Sequence, residues 1–327
     1  MRAGSHSLDP ALIGQRLTLR LHDPEGGYRD LVGILESDRT LRKKSGDVVE
    51  FDPQLIALVH PIAERKKSAG TGAPLSLRIA ELENLSSRTW PAHKIEELGK
   101  WQIRISDGVT YRANSVLVQG SPPWGEPGVE IEQAISLVEK IYADAKLPAV
   151  FACPLPLYQE FKDYLIEKGW REKVGAAFLI SDIESRADLT SVLNSKNVSL
   201  ICDNLPTPEF LALHGDELLE PIMKAYPAHY ISLLMDGKIV ATARLAVLDS
   251  WSILTRLFVA ETHRRLGLAE ILMQASTNIS LDHGADKISL QLDQSNAAAQ
   301  ALYEKLGFRV HHTYSFIERQ ESSECAC

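Results

Sequence analysis

The chain has 327 residues, 45% hydrophobic and 24% charged, the balance of a folded globular protein of two or three domains. Thirty-five Lys and Arg against 43 Asp and Glu leave a net charge of −8, which argues against a chain-wide basic footprint for nucleic acid. No apolar run approaches the ~18 residues that cross a bilayer, so a membrane partner is not expected either.

The N-terminus, Met1-Arg2-Ala3-Gly4-Ser5-His6, has no apolar segment behind it of the kind a secretory signal carries. Cys153, Cys202, Cys325 and Cys327 fit neither a disulfide framework nor a zinc site. The expected compartment is a reducing cytoplasm, with no metal. Two basic clusters, Arg42-Lys43-Lys44 and Arg65-Lys66-Lys67, read as a solvated turn and a linker.

Within residues 11–62 short strands follow one another. Gln15 to Leu21 alternates, Asp23-Pro24-Glu25-Gly26-Gly27 turns, and Tyr28 to Leu35, Val48 to Phe51 and Leu55 to Val59 continue. This pattern predicts a small SH3-like β-barrel over 1–65. A charged, then Gly/Ala-rich stretch over 66–75 reads as a linker. Beyond it helices alternate with strands. Arg78 to Leu85 carries a helical apolar stripe, and Trp101 to Ser106 and Val109 to Val118 flank Asp107-Gly108, a hairpin signal. Val129 to Ala145 and Leu157 to Lys168 are predicted helices; Pro148 to Cys153 and Val174 to Ile180 are predicted strands.

A similar order recurs. His229 to Met235 and Lys238 to Val247 flank Asp236-Gly237. A strand is predicted over Trp251 to Val259, a helix over Arg264 to Asp282, a strand over Lys287 to Leu292, a helix over Asn296 to Leu306 and a strand over Arg309 to Ile317. The stretch Leu165 to Trp170 matches Tyr303 to Phe308. The fold class is therefore α+β, with a duplicated unit behind the barrel. Its halves cover 76–182 and 183–320, with a disordered tail at 321–327.

The informative motif is Val259-Ala260-Glu261-Thr262-His263-Arg264-Arg265-Leu266-Gly267-Leu268-Ala269. A strand ends, a loop follows and a helix begins. Small residues at Gly267 and Ala269 let a ligand approach the backbone. The first helical turn offers open N–H groups and the positive end of the dipole, a seat for a pyrophosphate. Arg264 or Arg265 can add charge-assisted contacts.

Downstream, Asn296, Ala299, Leu302, Tyr303, Lys305, Gly307 and Phe308 stand in the pattern Asn-x-x-Ala-x-x-Leu-Tyr-x-Lys-x-Gly-Phe. With Arg264, Gly267 and Ala269 matching Arg/Gln-x-x-Gly-x-Gly/Ala, residues 229–317 resemble the GNAT superfamily of N-acetyltransferases. The resemblance implies acetyl-CoA as co-substrate. It places the pantetheine arm against Leu257, Phe258 and Val259, and the pyrophosphate on Arg264, Arg265, Leu266, Gly267, Leu268 and Ala269, with Asn296 nearby. It gives Tyr303 the role of acid toward the departing thiolate. Candidate bases are Glu261, Asp249 and Glu217, with His263 solvated or capping. Arg244 or Arg256 is expected to hold a substrate carboxylate, with Arg112, Asn114 and Ser115 on a wall of the acceptor site.

In the first half the corresponding stretch, Gln119-Gly120-Ser121-Pro122-Pro123-Trp124-Gly125-Glu126-Pro127, has three prolines without N–H donors and an acidic residue, so it reads as a degenerate GNAT half. The whole arrangement, with Arg88-Thr89-Trp90-Pro91, Trp101-Gln102-Ile103-Arg104 and Arg112-Ala113-Asn114-Ser115-Val116, resembles an actinobacterial group. Its members have been described as N-acetylglutamate synthases and histone-type acetyltransferases. The first expectation is acetylation of a free amino acid, L-glutamate foremost, in arginine biosynthesis. Protein lysine acetylation and a non-catalytic acetyl-CoA sensor, with the barrel docking a protein partner, stand as alternatives.

Overall fold

The computed structural model describes residues 8–24, 26–43, 46–62, 68–215 and 218–320. Met1 to His6, Lys44, the Arg65-Lys66-Lys67 cluster, Glu217 and the 321–327 tail with Cys325 and Cys327 lie outside the described residues. Two compact units divide the chain, Met1–Lys67 and Ser68–Cys327.

The first unit holds β1 (Arg16–His22), β2 (Tyr28–Leu35), β3 (Thr40–Arg42), β4 (Val48–Glu50) and β5 (Ile56–Pro61). Alternation along β1 buries Leu17, Leu19 and Leu21 against Leu35, Leu41, Phe51 and Ile56. The sheet runs β4-β3-β2-β1-β5, all antiparallel. It is open, which corrects the expected barrel. β3 engages only Ile34 and Leu35 of β2, and three-residue β4 engages only β3. That end of the sheet is too short to curl round onto β5, and closure needs a continuous ladder.

The second unit begins with α1 (Leu75–Thr89), β6 (Lys94–Leu98), β7 (Trp101–Ile105) and β8 (Val116–Leu117). Then come α2 (Ile131–Asp144), β9 (Val150–Leu155), α3 (Gln159–Glu167) and β10 (Trp170–Asp182). Short elements follow: α4 (Thr190–Lys196), β11 (Ser199–Asp203), α5 (Pro208–Ala212) and α6 (Leu219–Lys224). The chain then forms β12 (His229–Met235), β13 (Lys238–Leu248), β14 (Trp251–Val259), α7 (Leu268–Asp282), β15 (Lys287–Asp293), α8 (Ala297–Lys305) and β16 (Arg309–Arg319).

One eleven-stranded sheet runs β11-β12-β13-β14-β15-β10-β16-β9-β8-β7-β6. The last strands of the two repeats are exchanged. β10 pairs with β15 of the later repeat, β16 pairs with β9 of the earlier one, and β10 and β16 pair with each other. On one face Ala177 and Leu179 join Leu268, Ile271 and Leu272 of α7. On the other, Ala176, Phe178, Ile180, Tyr314 and Phe316 pack against Leu82 and Leu85 of α1. Strand alternation divides these sets cleanly.

The Asp236-Gly237 hairpin forms as expected, with both residues at positive φ (49° and 75°). The one at Asp107-Gly108 does not. There the Asn114 amide accepts from Ser106 N and Gly108 N and donates to the carbonyls of Ser106, Val109 and Thr110. These bonds hold 106–115 as a loop and leave β8 two residues long.

Candidate active site

β14 and β15 are parallel neighbours only from Trp251 to Leu254, opposite Lys287 to Leu290. Beyond Leu254 the two strands part. The cause lies in β13–β14, where the register shifts between Thr242 and Arg244 and Arg256 takes φ of 56°. Such a bulge bends its strand. Thr255 to Val259 thus present an edge with no ladder partner on the β15 side among the described residues. A cleft of 1040 Å³ opens there, lined by Leu257, Phe258 and Val259.

Its far end is the motif loop. A 3₁₀ turn covers Glu261–His263, Arg264 is extended, and Arg265 and Gly267 are left-handed at φ 67° and 77°. α7 starts at Leu268, four residues later than Arg264. Its opening bond runs from Ile271 N to Gly267 O. The preceding N–H groups therefore face the cleft as a concave donor set at a helix N-terminus, suited to a pyrophosphate. Arg264, Arg265, Gly267, Leu268 and Ala269 line the cleft; Leu266 is exposed and does not. The Lys196 side chain, at the end of α4, comes within 3.6 Å of where a Cβ on Gly267 would stand. It adds a cation that sequence patterning did not single out.

Tyr303 lies on α8 in the wall of the cleft, 6% exposed. Burial pushes its phenol up to about 12, so it remains an O–H donor at neutral pH. No hydrogen bond occupies its hydroxyl among the described residues. Asn296 caps α8 through Oδ1, which accepts from Ala299 N at 3.1 Å, and also lines the cleft.

The cleft continues into a second cavity of 240 Å³. Leu254, Thr255, Arg256, Gln291 and Leu292 border both. Arg256 donates from Nη2 to His214 Nδ1 at 3.1 Å. Burial, reinforced by the Arg256 charge, pulls His214 down to about 4. The ring is therefore neutral at pH 7, accepts through Nδ1, and donates from Nε2 to Thr242 Oγ1 at 3.1 Å. Arg112 reaches the same cavity from the loop that Asn114 holds, and Asp293 from the end of β15.

Several expected roles shift. Arg244 is fully buried and donates to the carbonyls of Met223, Thr89 and Tyr226 at 3.1 Å each, stacked over Trp90. These bonds make it a core fork, with no guanidinium face left for a carboxylate. Asn114 and Ser115 are buried; Asn114 spends its amide on the loop, and Ser115 accepts from Arg104 through its carbonyl and hydroxyl. Glu261 is 82% exposed and paired with Arg264, and Asp249 sits exposed in the turn between β13 and β14; neither borders the cavities. His263 lines the cleft and meets Thr262 Oγ1 at 2.9 Å. Missed in the sequence were Gln291, Asp293, His214 and Lys196, which become neighbours of the site only through tertiary folding.

In the first repeat, a carboxylate fills the loop between β8 and α2. Glu126 accepts from the Ser121 N–H at 2.9 Å and from its hydroxyl, and pairs with Lys100. These partners hold it at about 2. A permanent anion on the loop's donors opposes phosphate there.

Residues 200–308 match the model of the acetyltransferase (GNAT) family. The chain is 27% identical to an uncharacterized N-acetyltransferase of Bacillus subtilis, over 70% of this chain and 94% of that protein. It is 26% identical to a probable histone acetyltransferase of Mycobacterium tuberculosis, over 94% of this chain and 96% of that protein. Among solved structures, a GCN5-related N-acetyltransferase from Kribbella flavida superposes with a TM-score of 0.57 at 15% identity, covering 75% of this chain and 97% of that one. A tandem GNAT protein from the clavulanic acid biosynthesis pathway superposes at 0.50 and 12% identity, covering 80% and 92%. Residues 200–308, which hold the splayed strand, the glycine loop and Tyr303, are thereby a GNAT N-acetyltransferase domain, and the protein is an acyltransferase.

Proposed function

We propose that the protein transfers the acetyl group of acetyl-CoA to the amine of a free amino acid. The observation that carries this reading is the continuity of the cleft with a small cavity lined by Arg112 and Arg256. The motif loop takes the pyrophosphate, and the open edge of Leu257, Phe258 and Val259 takes the pantetheine arm. The neutral amine attacks the thioester carbonyl; an N–C bond forms, the C–S bond breaks, the nitrogen gives up one proton to water in the open cleft, and the sulfur leaves as thiolate. A backbone N–H on the β14 edge faces the carbonyl oxygen as it gains charge. Tyr303, protonated at neutral pH, donates to the sulfur. Residues 76–182 act as a GNAT-like half without a coenzyme loop, walling the acceptor site with Arg112. Residues 1–65 form a separate module.

A second reading, acetylation of protein lysines, draws on the name of the mycobacterial relative that spans 94% of this chain. The test is release of CoA from acetyl-CoA by the purified protein, offered L-glutamate, the other free amino acids and a lysine peptide. Turnover with free amino acids supports the proposal. Turnover with the peptide alone replaces it with the second reading. Bound acetyl-CoA with no transfer to any amine marks a sensor rather than a transferase.

A further inference from the structure

If the protein is a transferase, as proposed, the acceptor cavity carries a chemical signature of its substrate. Among the buried polar atoms of its lining, Arg112 Nε, a donor, and Gln291 Oε1, an acceptor, have no hydrogen-bond partner. The other end of the Gln291 amide is fixed, because Nε2 donates to Ser86 Oγ at 3.1 Å. A buried unpaired donor or acceptor is unfavourable until a partner completes it. Arg112 thus calls for an anionic or accepting partner and Gln291 for an N–H donor.

The charges agree. Arg112 stands close enough to Arg104 and Arg244 to depress both guanidiniums, burial being the larger cause in each. A carboxylate next to Arg112 relieves that crowding. Across the cavity Asp293 is held ionised below the usual carboxylate range by the Ser295 hydroxyl and N–H. It favours an ammonium group at the rim and opposes a second carboxylate. The other cation of the lining, Arg256, already donates to His214.

Much of the remaining wall is apolar or aromatic, with Trp90, Tyr111, Val174, Leu254 and Phe316, beside the hydroxyl-bearing Thr255 and Tyr314. Tyr111 stacks on Phe316 with centroids 5.4 Å apart and planes at 29°. Left-handed backbone borders the cavity too. Thr110 and Arg256, one from each repeat, both line the cavity at φ 60° and 56°. A β-branched residue in that region is a genuine outlier, and such strain clusters where a ligand is held.

We propose that the cavity binds a free α-amino acid with a single carboxylate and an aromatic or large apolar side chain, with Arg112 holding the carboxylate and Gln291 and Asp293 receiving the amine. Arg112 is then a specificity-determining residue supplied by the repeat that lacks the coenzyme loop.

The experiment compares CoA release with L-phenylalanine, L-tryptophan, L-leucine, L-glutamate, L-phenylalaninamide and a lysine peptide. The expected kcat/KM for the apolar acids is about tenfold or more above that for L-glutamate, and L-phenylalaninamide falls about tenfold below L-phenylalanine. In Arg112→Gln, KM for L-phenylalanine rises about tenfold or more while KM for acetyl-CoA holds. Calorimetric titration of the wild-type protein with L-phenylalanine in the presence of CoA gives a second readout that does not depend on the variant's folding. Preference for L-glutamate or the peptide, or equal use of acid and amide, overturns the inference and leaves acetyl transfer standing. Absence of transfer to every amine, with acetyl-CoA bound, overturns the transferase reading and the inference with it.

Discussion

Replacing Arg244 separates a structural role from the substrate role its sequence position invites. The guanidinium spans two helix ends. Thr89 is the last residue of α1, and Met223 and Tyr226 bracket the end of α6, where carbonyls lose their intrahelical partners. One side chain satisfies all three at 3.1 Å and places positive charge at two negative dipole ends. No carboxylate pairs with it among the described residues, so burial depresses the guanidinium. In Arg244→Ala three buried carbonyls lose their donor, at ~1–3 kcal/mol each, offset in part by relief of the buried charge. The expected net loss is about 4 kcal/mol, read as the shift in urea midpoint at constant slope. Arg244→Gln, which retains two N–H donors, should lose less. A variant within about 1 kcal/mol of wild type that shows a raised KM for the acceptor refutes this reasoning and returns Arg244 to the substrate.

Three further outcomes bear on the cleft. Tyr303→Phe should lower kcat by about 10²-fold and leave the dissociation constant for acetyl-CoA near wild type. Because the phenol stands at about 12, no alkaline loss of rate below about pH 10 should trace to it. Gly267→Val places a β-branched residue at φ 77°, at a cost of ~1–2 kcal/mol, and should raise KM for acetyl-CoA about tenfold. Equal kinetics would mean that the loop does not need its left-handed turn. Lys196→Ala should weaken acetyl-CoA binding about threefold at low salt and less at high salt; a salt-independent effect would assign Lys196 to packing instead.

The sequence carried the later repeat well because its signals are local. Asp236-Gly237 sets a hairpin, Trp251 to Val259 is a largely apolar strand with the observed ends, and Gly267 and Gly307 stand at helix boundaries. What escaped is set by distant pairing. Nothing near β10 or β16 tells that each completes the other repeat's side of the sheet, since register across more than a hundred residues depends on the assembled core. Residues 183–228 fold as short α4, β11, α5 and α6, each too brief to show a period. Arg244 did leave a trace. It stands in Ala241-Thr242-Ala243-Arg244-Leu245-Ala246, the small and apolar run of a central strand, where a lone cation is buried and must be fully bonded. Arg256 lies on the neighbouring strand, and the bulge beside it turns it to the cavity. Alternation alone does not separate the two arginines.

The link between His214 and Arg256 also makes stability depend on acid. Native His214 titrates at about 4, against about 6.5 in an unfolded chain. Between those values the unfolded chain binds a proton that the native ring excludes, so stability rises with pH across the window and falls as the pH drops through it. Above about pH 6.5 both states are neutral and the contribution is constant. The full difference is about 3.4 kcal/mol, and partial exposure of the ring reduces it to about 2 kcal/mol. His311, also brought down to about 4 by burial and its neighbours, acts with the same sign, so the diagnostic is a difference between proteins. In His214→Gln the amide oxygen can still accept from Arg256, but it does not titrate. Urea unfolding at pH 7 and pH 5 should show wild type losing about 1–2 kcal/mol more than this variant. Equal losses would mean that the ring is not held neutral by its buried place beside the guanidinium, and Arg256 would then need another anchor at the mouth of the acceptor cavity.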